Sequence, residues 1–375
     1  MSKRGITMKF TCNIENFTKL LGIAEGVVTQ KNTISILSNI LIEAKNSKIK
    51  ITACEPSLTF FGEIGADIEE EGSISVFSNK LYSISKKLPS EEIVIETDEN
   101  NNVIIKPVGK NKIVYSLKGI DSSKFPSIKS LENIDFVSIN QESFVDMINK
   151  TKFSVSQNES RRFANGILFE NTESLLRMVS TDGKRLSKID CNIVFNSKIF
   201  NSIIVPTKIL TEISKICHNT GDVKIAIQEK SIIINVDNYF FISSLLEANF
   251  PPYDSVIPKD QINSFKVNKK ILKDSIERIS LMGDKDTNKI ILFLSNNSMK
   301  IYTENMSIGT GEEYIDIEYS NEDIKIALNY NYIIDVLSVL KSETIIFKFK
   351  SSQSTITIVE DNNNDYIYIM MPMSL

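Results

Sequence analysis

One arrangement occurs three times along this chain, and it leaves few folds open. An amphipathic helix followed by three short apolar runs fills residues 76–117, 205–245 and 328–371. In the middle copy Pro206 suits the first turn of a helix. Leu210, Ile213, Ile216 and Cys217 then recur at helical spacing. Leu81, Ile84 and Leu88 do the same in the first copy, and Ile333, Val336, Val339 and Leu340 in the third. The runs that follow (93–96, 103–106 and 113–117; 345–349, 355–359 and 366–370) are rich in Ile, Val and Phe between turn-formers, which reads as an antiparallel meander.

Each copy also carries an earlier half. Helical patterns at 15–28, 142–155 and 269–282 precede strand-like stretches at 38–55, 165–182 and 288–305. Phe17, Leu21, Ala24 and Val28 fall in line with Phe144, Ile148, Thr151 and Val155. The offset of about 125 residues is too long for a solenoid repeat and matches the size of one domain. The expectation is a triplicated α+β domain, each copy packing two helices and about eight strands in layers. Two stretches opening on Phe-Pro, 122–135 and 247–264, read as stiff joints between copies.

Composition narrows the function classes. The net charge of −4 and pI near 5.5 exclude a uniformly basic nucleic-acid binder, so any phosphate-binding surface must be local. Lysines supply one on the helix faces left free by packing, among them Lys19, Lys80, Lys86, Lys87, Lys150, Lys208, Lys215 and Lys270. Acidic runs at 67–71, 96–99, 312–313 and 316–322 gather on the strand side. Four scattered cysteines without metal-ligand spacing read as reduced thiols of a cytoplasmic protein. No apolar run is long enough to span a bilayer, and residues 1–7 lack the apolar core of a signal peptide. The one histidine, His218, reads as a cation at a helix C-terminus.

Three motifs then combine with the triplication: MKFTCNIENFTKLLG with TISILSNILIEA near the start, ESRRFANGILFE before VSTDGKRLSKID in the second copy, and YIYIMMPMSL at the end. Together they resemble the bacterial DNA sliding clamps, the beta subunits of DNA polymerase III, from residue 8 to the last. That resemblance implies an N-terminal extension at 1–7 and clamp domains at 8–126, 135–252 and 253–375. It implies a head-to-tail homodimeric ring whose helices face double-stranded DNA without sequence preference, no catalysis and no cofactor. Partners would be the replicative polymerase, the clamp loader and other proteins carrying a clamp-binding peptide. The peptide groove would use Thr181, Gly183, Lys184, Arg185, Leu186, Pro251, Val256, Thr355, Ile369, Met370, Met371, Pro372 and Met373. Ala164, Asp254, Ser255 and Ser374 depart from the family's usual residues there, and a shallower wall is expected at Ala164. DNA contacts would come from Lys31 and Asn158, with Lys80, Lys150 and Lys208 from the helix faces. Ring closure would bring Tyr115 and Leu117 of one chain to Leu281 and Met282 of another.

Two other classes remain open on the residues alone. An enzyme would have its best case in the carboxylates Asp284 and Asp286, which lie in a polar turn. A protein-binding scaffold without DNA would use the same folded units.

Overall fold

The computed structural model describes the chain except for residues 1–5, 29–35, 110–111, 128–133, 157–161, 173–174, 194–199, 219, 306–308 and 362. The first copy runs β1 (Ile6–Asn13), α1 (Ile14–Val27), β2 (Asn39–Lys45), β3 (Lys48–Glu55), β4 (Leu58–Gly65), β5 (Asp67–Glu70), β6 (Gly72–Phe77), α2 (Ser78–Ser85), β7 (Glu92–Asp98), β8 (Asn102–Pro107) and β9 (Tyr115–Ile120). The second runs β10 (Val137–Asn140), α3 (Gln141–Lys152), β11 (Gly166–Asn171), β12 (Leu176–Thr181), β13 (Arg185–Cys191), β14 (Ser202–Pro206), α4 (Thr207–Ile216), β15 (Asp222–Gln228), β16 (Ser231–Val236) and β17 (Tyr239–Ser244). The third runs β18 (Asn263–Asn268), α5 (Lys269–Ser280), β19 (Lys289–Ser295), β20 (Ser298–Asn305), β21 (Gly309–Asp316), β22 (Ile324–Asn329), α6 (Tyr330–Val339), β23 (Thr344–Phe349), β24 (Ile356–Glu360) and β25 (Asn363–Met370).

The expected order therefore recurs in every copy. Helix ends fall one to three residues short of the apolar periodicity: Leu88, Cys217 and Leu340 lie just beyond α2, α4 and α6. Asparagine at a strand-to-helix junction sets several starts. Asn13, Asn268 and Asn329 end β1, β18 and β22 and accept N–H bonds from the first turns of α1, α5 and α6. Such a cap stabilises a helix by about 1 kcal/mol. The acidic run at 67–71 supplies a ninth strand in the first copy, β5, at the end of its sheet. Charge there discourages further strand pairing.

The chain divides into two compact units that cut across the repeats: Met1–Glu142 with Lys208–Leu245, and Ser143–Thr207 with Leu246–Leu375. Sheet continuity is the reason. In the first unit thirteen strands pair in the order β10-β15-β16-β17-β4-β3-β2-β6-β9-β8-β7-β1-β5. The β17–β4 ladder, from Tyr239↔Gly62 to Ser243↔Leu58, joins second-copy strands to first-copy strands. Helices approach across the same junction. A Cβ on Gly26 of α1 would lie 2.3 Å from the carboxylate of buried Glu212 on α4, so a larger residue there would have to displace the end of that side chain.

The second unit holds an eight-stranded sheet, β14-β11-β12-β13-β25-β24-β23-β18, and a four-stranded one, β21-β20-β19-β22. Here the β13–β25 ladder, from Arg185↔Met370 to Ile189↔Tyr366, joins second-copy strands to third-copy strands. The 247–264 stretch contributes to the core rather than merely linking: Tyr253 clusters with Leu168, Val179, Leu186, Ile204 and Ile369, and Phe250 and Ile257 pack against them.

Candidate binding groove

The end of α3 explains why the TDGKRL segment stands where it does. A helix leaves its last carbonyls without partners, and here side chains from the sheet supply them. Tyr366 donates to the Lys150 carbonyl at 3.1 Å, Ser180 to that of Thr151 at 2.6 Å, and Arg185 Nη2 to that of Phe153 at 2.6 Å. Arg185 also bonds Asp182 Oδ2 at 2.9 Å and Asp335 Oδ2 at 2.6 Å, and its guanidinium lies 4.2 Å from the Tyr332 ring centroid. Arg185 stays in the groove lining, where it was expected. Its stem lines the surface while its charge is committed inside the protein.

The turn itself is built by Asp182 and Gly183. Asp182 Oδ1 accepts the N–H groups of Lys184 and Arg185 at 2.9 and 3.0 Å, and Gly183 sits at φ +90°, a conformation that side chains strain to adopt. Thr181 Oγ1 donates to the Arg185 carbonyl at 2.7 Å. The Lys184 carbonyl accepts from Met371 N at 2.9 Å, which fixes the turn to the chain end beyond β25.

Between these segments lies a concave, mainly apolar cavity of about 430 Å³, lined by Thr181, Gly183, Lys184, Arg185, Leu186, Pro251, Val256, Thr355, Ile369, Met370 and Met371. Ser255, named from sequence as a departure from the family's usual residue, lines it too, and Phe163, Pro252 and Tyr253 complete it without having been expected from sequence. Phe163 supplies a wall beside the small Ala164, which is itself buried and outside the lining. Pro372 and Met373 are not among the lining residues. Met373 N donates to the Ala327 carbonyl at 2.8 Å, which carries the tail onto β22.

Beneath the surface a polar network holds Tyr253. Its hydroxyl donates to Glu170 and accepts from Arg177 Nη1 at 3.2 Å. Arg177 grips Asp190 with two bonds of 2.7 and 2.8 Å, and Lys188 adds a third at 3.0 Å. Burial pushes the Tyr253 phenol up, so it remains a donor at neutral pH. Burial alone would raise Asp190, but Arg177 and Lys188 hold it below the usual carboxylate range.

Models of the DNA polymerase III beta subunit match three consecutive spans: the N-terminal domain at residues 8–129, the central domain at 138–252 and the C-terminal domain at 254–374. The beta sliding clamp of Treponema pallidum is 32% identical over 370 residues, covering 98% of this chain and 99% of that one. The chain belongs to the DNA polymerase III beta subunit family. A crystal structure of the subunit from Pseudomonas aeruginosa superposes with a TM-score of 0.90 at 28% identity, covering 98% of this chain and 100% of the other. The sliding clamp from Bartonella birtlesii, bound to griselimycin, superposes with a TM-score of 0.92 at 27% identity and the same coverage. Three tandem clamp domains thus account for the triplication.

For a clamp, sheet edges and helix lysines matter next. Residues Tyr115 to Lys118 of β9 pair with β8 on one side, whereas β6 reaches only Gly119 and Ile120 on the other. That leaves an open edge bearing Tyr115, which is 45% exposed, and half-buried Leu117. In the second unit β21 ends its own sheet. Beside it Leu281 is 79% exposed, and Met282 packs where Gly309 and Gly311 leave room. Tyr314 on β21, 63% exposed, lies on the other face of that strand, where the Lys300 ammonium is 5.5 Å from its ring centroid.

The helix lysines separate into different roles. Lys19, Lys80, Lys86, Lys87, Lys215 and Lys270 are exposed. Lys150 is not: it is 3% exposed and paired with Asp146 at 3.2 Å and Glu360 at 3.3 Å, so its expected contact with DNA is corrected. Lys208 donates to the Val27 carbonyl at the end of α1 and to Glu55, which makes it chiefly a helix cap. Lys31 and Asn158 lie outside the described residues. His218 caps no helix through its ring; its Nε2 lies 3.2 Å from Lys19 Nζ, and its backbone N–H donates to Gln141.

Glu360 gives the second unit an acid sensitivity. Burial by itself would raise its carboxyl, but the Ser342 and Lys341 N–H groups and the Lys150 ammonium bring it below the usual range. A depressed carboxyl stabilises the fold above its unfolded value, about 4.3, and that stability is lost as pH falls through the folded value. Glu360→Gln is expected to cost about 3 kcal/mol at pH 7 by leaving Lys150 underpaired. It should also flatten the fall in melting temperature below about pH 4.3. Thermal unfolding across pH checks both; equal acid profiles for the two proteins would contradict the assignment.

Proposed function

We infer that the chain acts as the sliding clamp of DNA replication. The carrying observation is that three clamp domains fill the chain end to end, at the same coverage as solved beta subunits. Clamp domains at 8–126, 135–252 and 253–375, with 1–7 as an extension, fit the matched spans to within a few residues. Two copies close head to tail, β9 of one chain meeting β21 and Leu281 of the other. Such a heterologous contact forms a ring because its rotation closes.

The ring holds double-stranded DNA by topology, so its phosphate contacts need not be tight. Exposed lysines on α1, α2, α4 and α5, including Lys80, suit mobile and sequence-independent contact. The protein does no chemistry of its own and needs no cofactor. Asp284, the best enzymatic candidate, accepts the N–H groups of Asp286 and Thr287 and so builds a turn. Among the described residues no three His, Cys, Asp or Glu side chains gather as metal ligands.

The groove around Met371 tethers the replicative polymerase, the clamp loader and other proteins through a short peptide. The griselimycin-bound relative supports a peptide site on this fold. The cellular place is the cytoplasm, where free thiols persist. Burial pushes the Cys12 thiol up to about 12 and Cys217 up to about 11, so both remain unreactive at neutral pH. No helix is long and apolar enough to cross a membrane among the described residues.

The test is retention. Protein loaded on nicked circular DNA should co-elute with it through a sizing column and leave when the circle is cut once. A scaffold without DNA would never co-elute, and an ordinary binder would stay after linearisation.

A further inference from the structure

We propose that Lys19 and His218 form a site for phosphate oxygens where α1 meets the end of α4, and that filling it takes up a proton at His218. The site stands on geometry; only the source of its phosphate, a DNA backbone, rests on the clamp reading above.

The internal repeat supplies the comparison. Lys19 lies two residues after buried Phe17 on α1, and Asp146 two residues after buried Phe144 on α3. His218 lies two residues past the end of α4, and Lys341 two past the end of α6. Each unit therefore brings the same pair of positions together once. In the second unit they hold an acid and a base: Asp146 Oδ1 is 2.9 Å from Lys341 Nζ, and Lys150 joins at 3.2 Å. In the first unit they hold two bases, Lys19 Nζ and His218 Nε2, 3.2 Å apart and both exposed. The place of Lys150 is taken there by buried Ile23.

An ammonium donates but has nothing to accept with. The contact therefore requires a neutral imidazole that accepts at Nε2 and carries its proton on Nδ1. Protonation turns both groups into cationic donors facing one another, and the pair then needs an acceptor between them. The acids around it do not supply one. Glu15 on α1, Glu142 at the start of α3, Asp222 opening β15 and Asp237 between β16 and β17 make no ion pair with Lys19 or His218 among the described residues. Lys215, the neighbouring cation on α4, is taken by Glu212 at 2.7 Å. Cys217 stays a neutral thiol, since burial pushes it up to about 11. The His218 backbone is held by Gln141 at 2.9 Å, so the ring is presented from a fixed point. Two non-bridging oxygens of a phosphodiester can accept one charge-assisted bond from each base. Binding then favours the charged imidazole, so affinity rises as pH falls through the range in which histidine titrates, about 5–8.

His218 is the only histidine of the chain, so full-length protein isotope-labelled at histidine reports this site through a single imidazole signal in NMR. It is titrated between about pH 5 and about pH 8 alone, with a short blunt duplex, and with inorganic phosphate. The duplex should raise the imidazole midpoint by about 0.5–1 pH unit. Duplex affinity should be about three- to tenfold higher at the acid end of the range. His218→Gln should flatten that pH dependence, and Lys19→Met should abolish the duplex-induced rise. In the free protein Lys19→Met should itself raise the midpoint, because one cation disfavours a second beside it. A rise with phosphate but not with the duplex keeps the site and assigns it to a free phosphate ion instead of a DNA backbone. An unmoved midpoint with both ligands, or a rise that survives Lys19→Met, overturns the site; retention of that protein on nicked circular DNA would leave the clamp reading standing. A raised midpoint in protein that circular DNA does not retain keeps the site and sinks the clamp.

Discussion

Leu281→Asp should convert the dimer to monomers at micromolar concentration. The side chain is 79% exposed in the single chain, where an apolar residue of that size gains nothing from the fold. Its chain neighbour Met282 packs against β21 at Gly309 and Gly311, and that strand's outer edge has unpaired backbone groups among the described residues. β9 offers the complementary feature: an open backbone edge with Tyr115 and Leu117. Strand-to-strand docking of two such edges satisfies the backbone and buries the side chains in one step. A carboxylate at residue 281 would then be desolvated without a partner, costing on the order of 2–5 kcal/mol at each contact. That corresponds to roughly 30- to 5,000-fold in affinity, and a two-chain ring carries two such contacts. Sedimentation should show the monomer mass, retention on circular DNA should vanish, and the circular dichroism of the folded chain should be unchanged because the residue is outside the core, with melting lowered only by the lost association. Peptide binding should survive too, since every groove residue belongs to one chain. An unchanged dimer mass would refute the interface.

The repeat, the helices and the α+β class were legible because they depend on local periodicity. Leu81, Leu210 and Ile333 each mark a buried helix face that the sequence spaces at helical intervals. The turn at Gly183 was legible for a similar reason, since Asp-Gly dictates a backbone conformation. What a charged side chain does was not legible. Lys80 and Lys150 look alike on their helices, yet Lys150 is enclosed because Glu360, 210 residues later, meets it. The inward commitment of the Arg185 charge has no local signal, because its partners Asp335 and the Phe153 carbonyl come from distant segments. Met373 departs from the groove for a backbone reason, its pairing with Ala327, that side-chain chemistry does not announce. Phe163 and Tyr253 were missed as lining because the first is half-buried and the second reads as plain core. A usable signal existed for some helix starts: Asn at the strand ends 13, 268 and 329, one cap per junction.

Met371→Ala combined with Val256→Ala should abolish stimulation of the polymerase while leaving the ring intact. The pair is chosen on exposure. Met371 is 56% and Val256 53% exposed, so truncation removes little from the fold, in contrast to Ile369 or Leu186, which are buried in the core cluster beneath. Met373 is a poor choice for the same test, because it is bound to β22 through its backbone. The two side chains come from different segments of the groove wall, the chain end and the turn after Tyr253. A bound peptide would lose contact on both. Removing the apolar contact of a methionine and a valine costs about 3 kcal/mol together, or roughly 100-fold in affinity. Methionine at such a site adapts to many partners, so polymerase and loader peptides should weaken alike. Because loading itself would fail with the loader, the assay should use protein threaded onto primed linear DNA blocked at its ends, where the loader is dispensable. Wild type should extend long products there and the double variant only short ones, with both sedimenting as dimers. Full-length extension by the variant would show that the polymerase is held somewhere other than this groove.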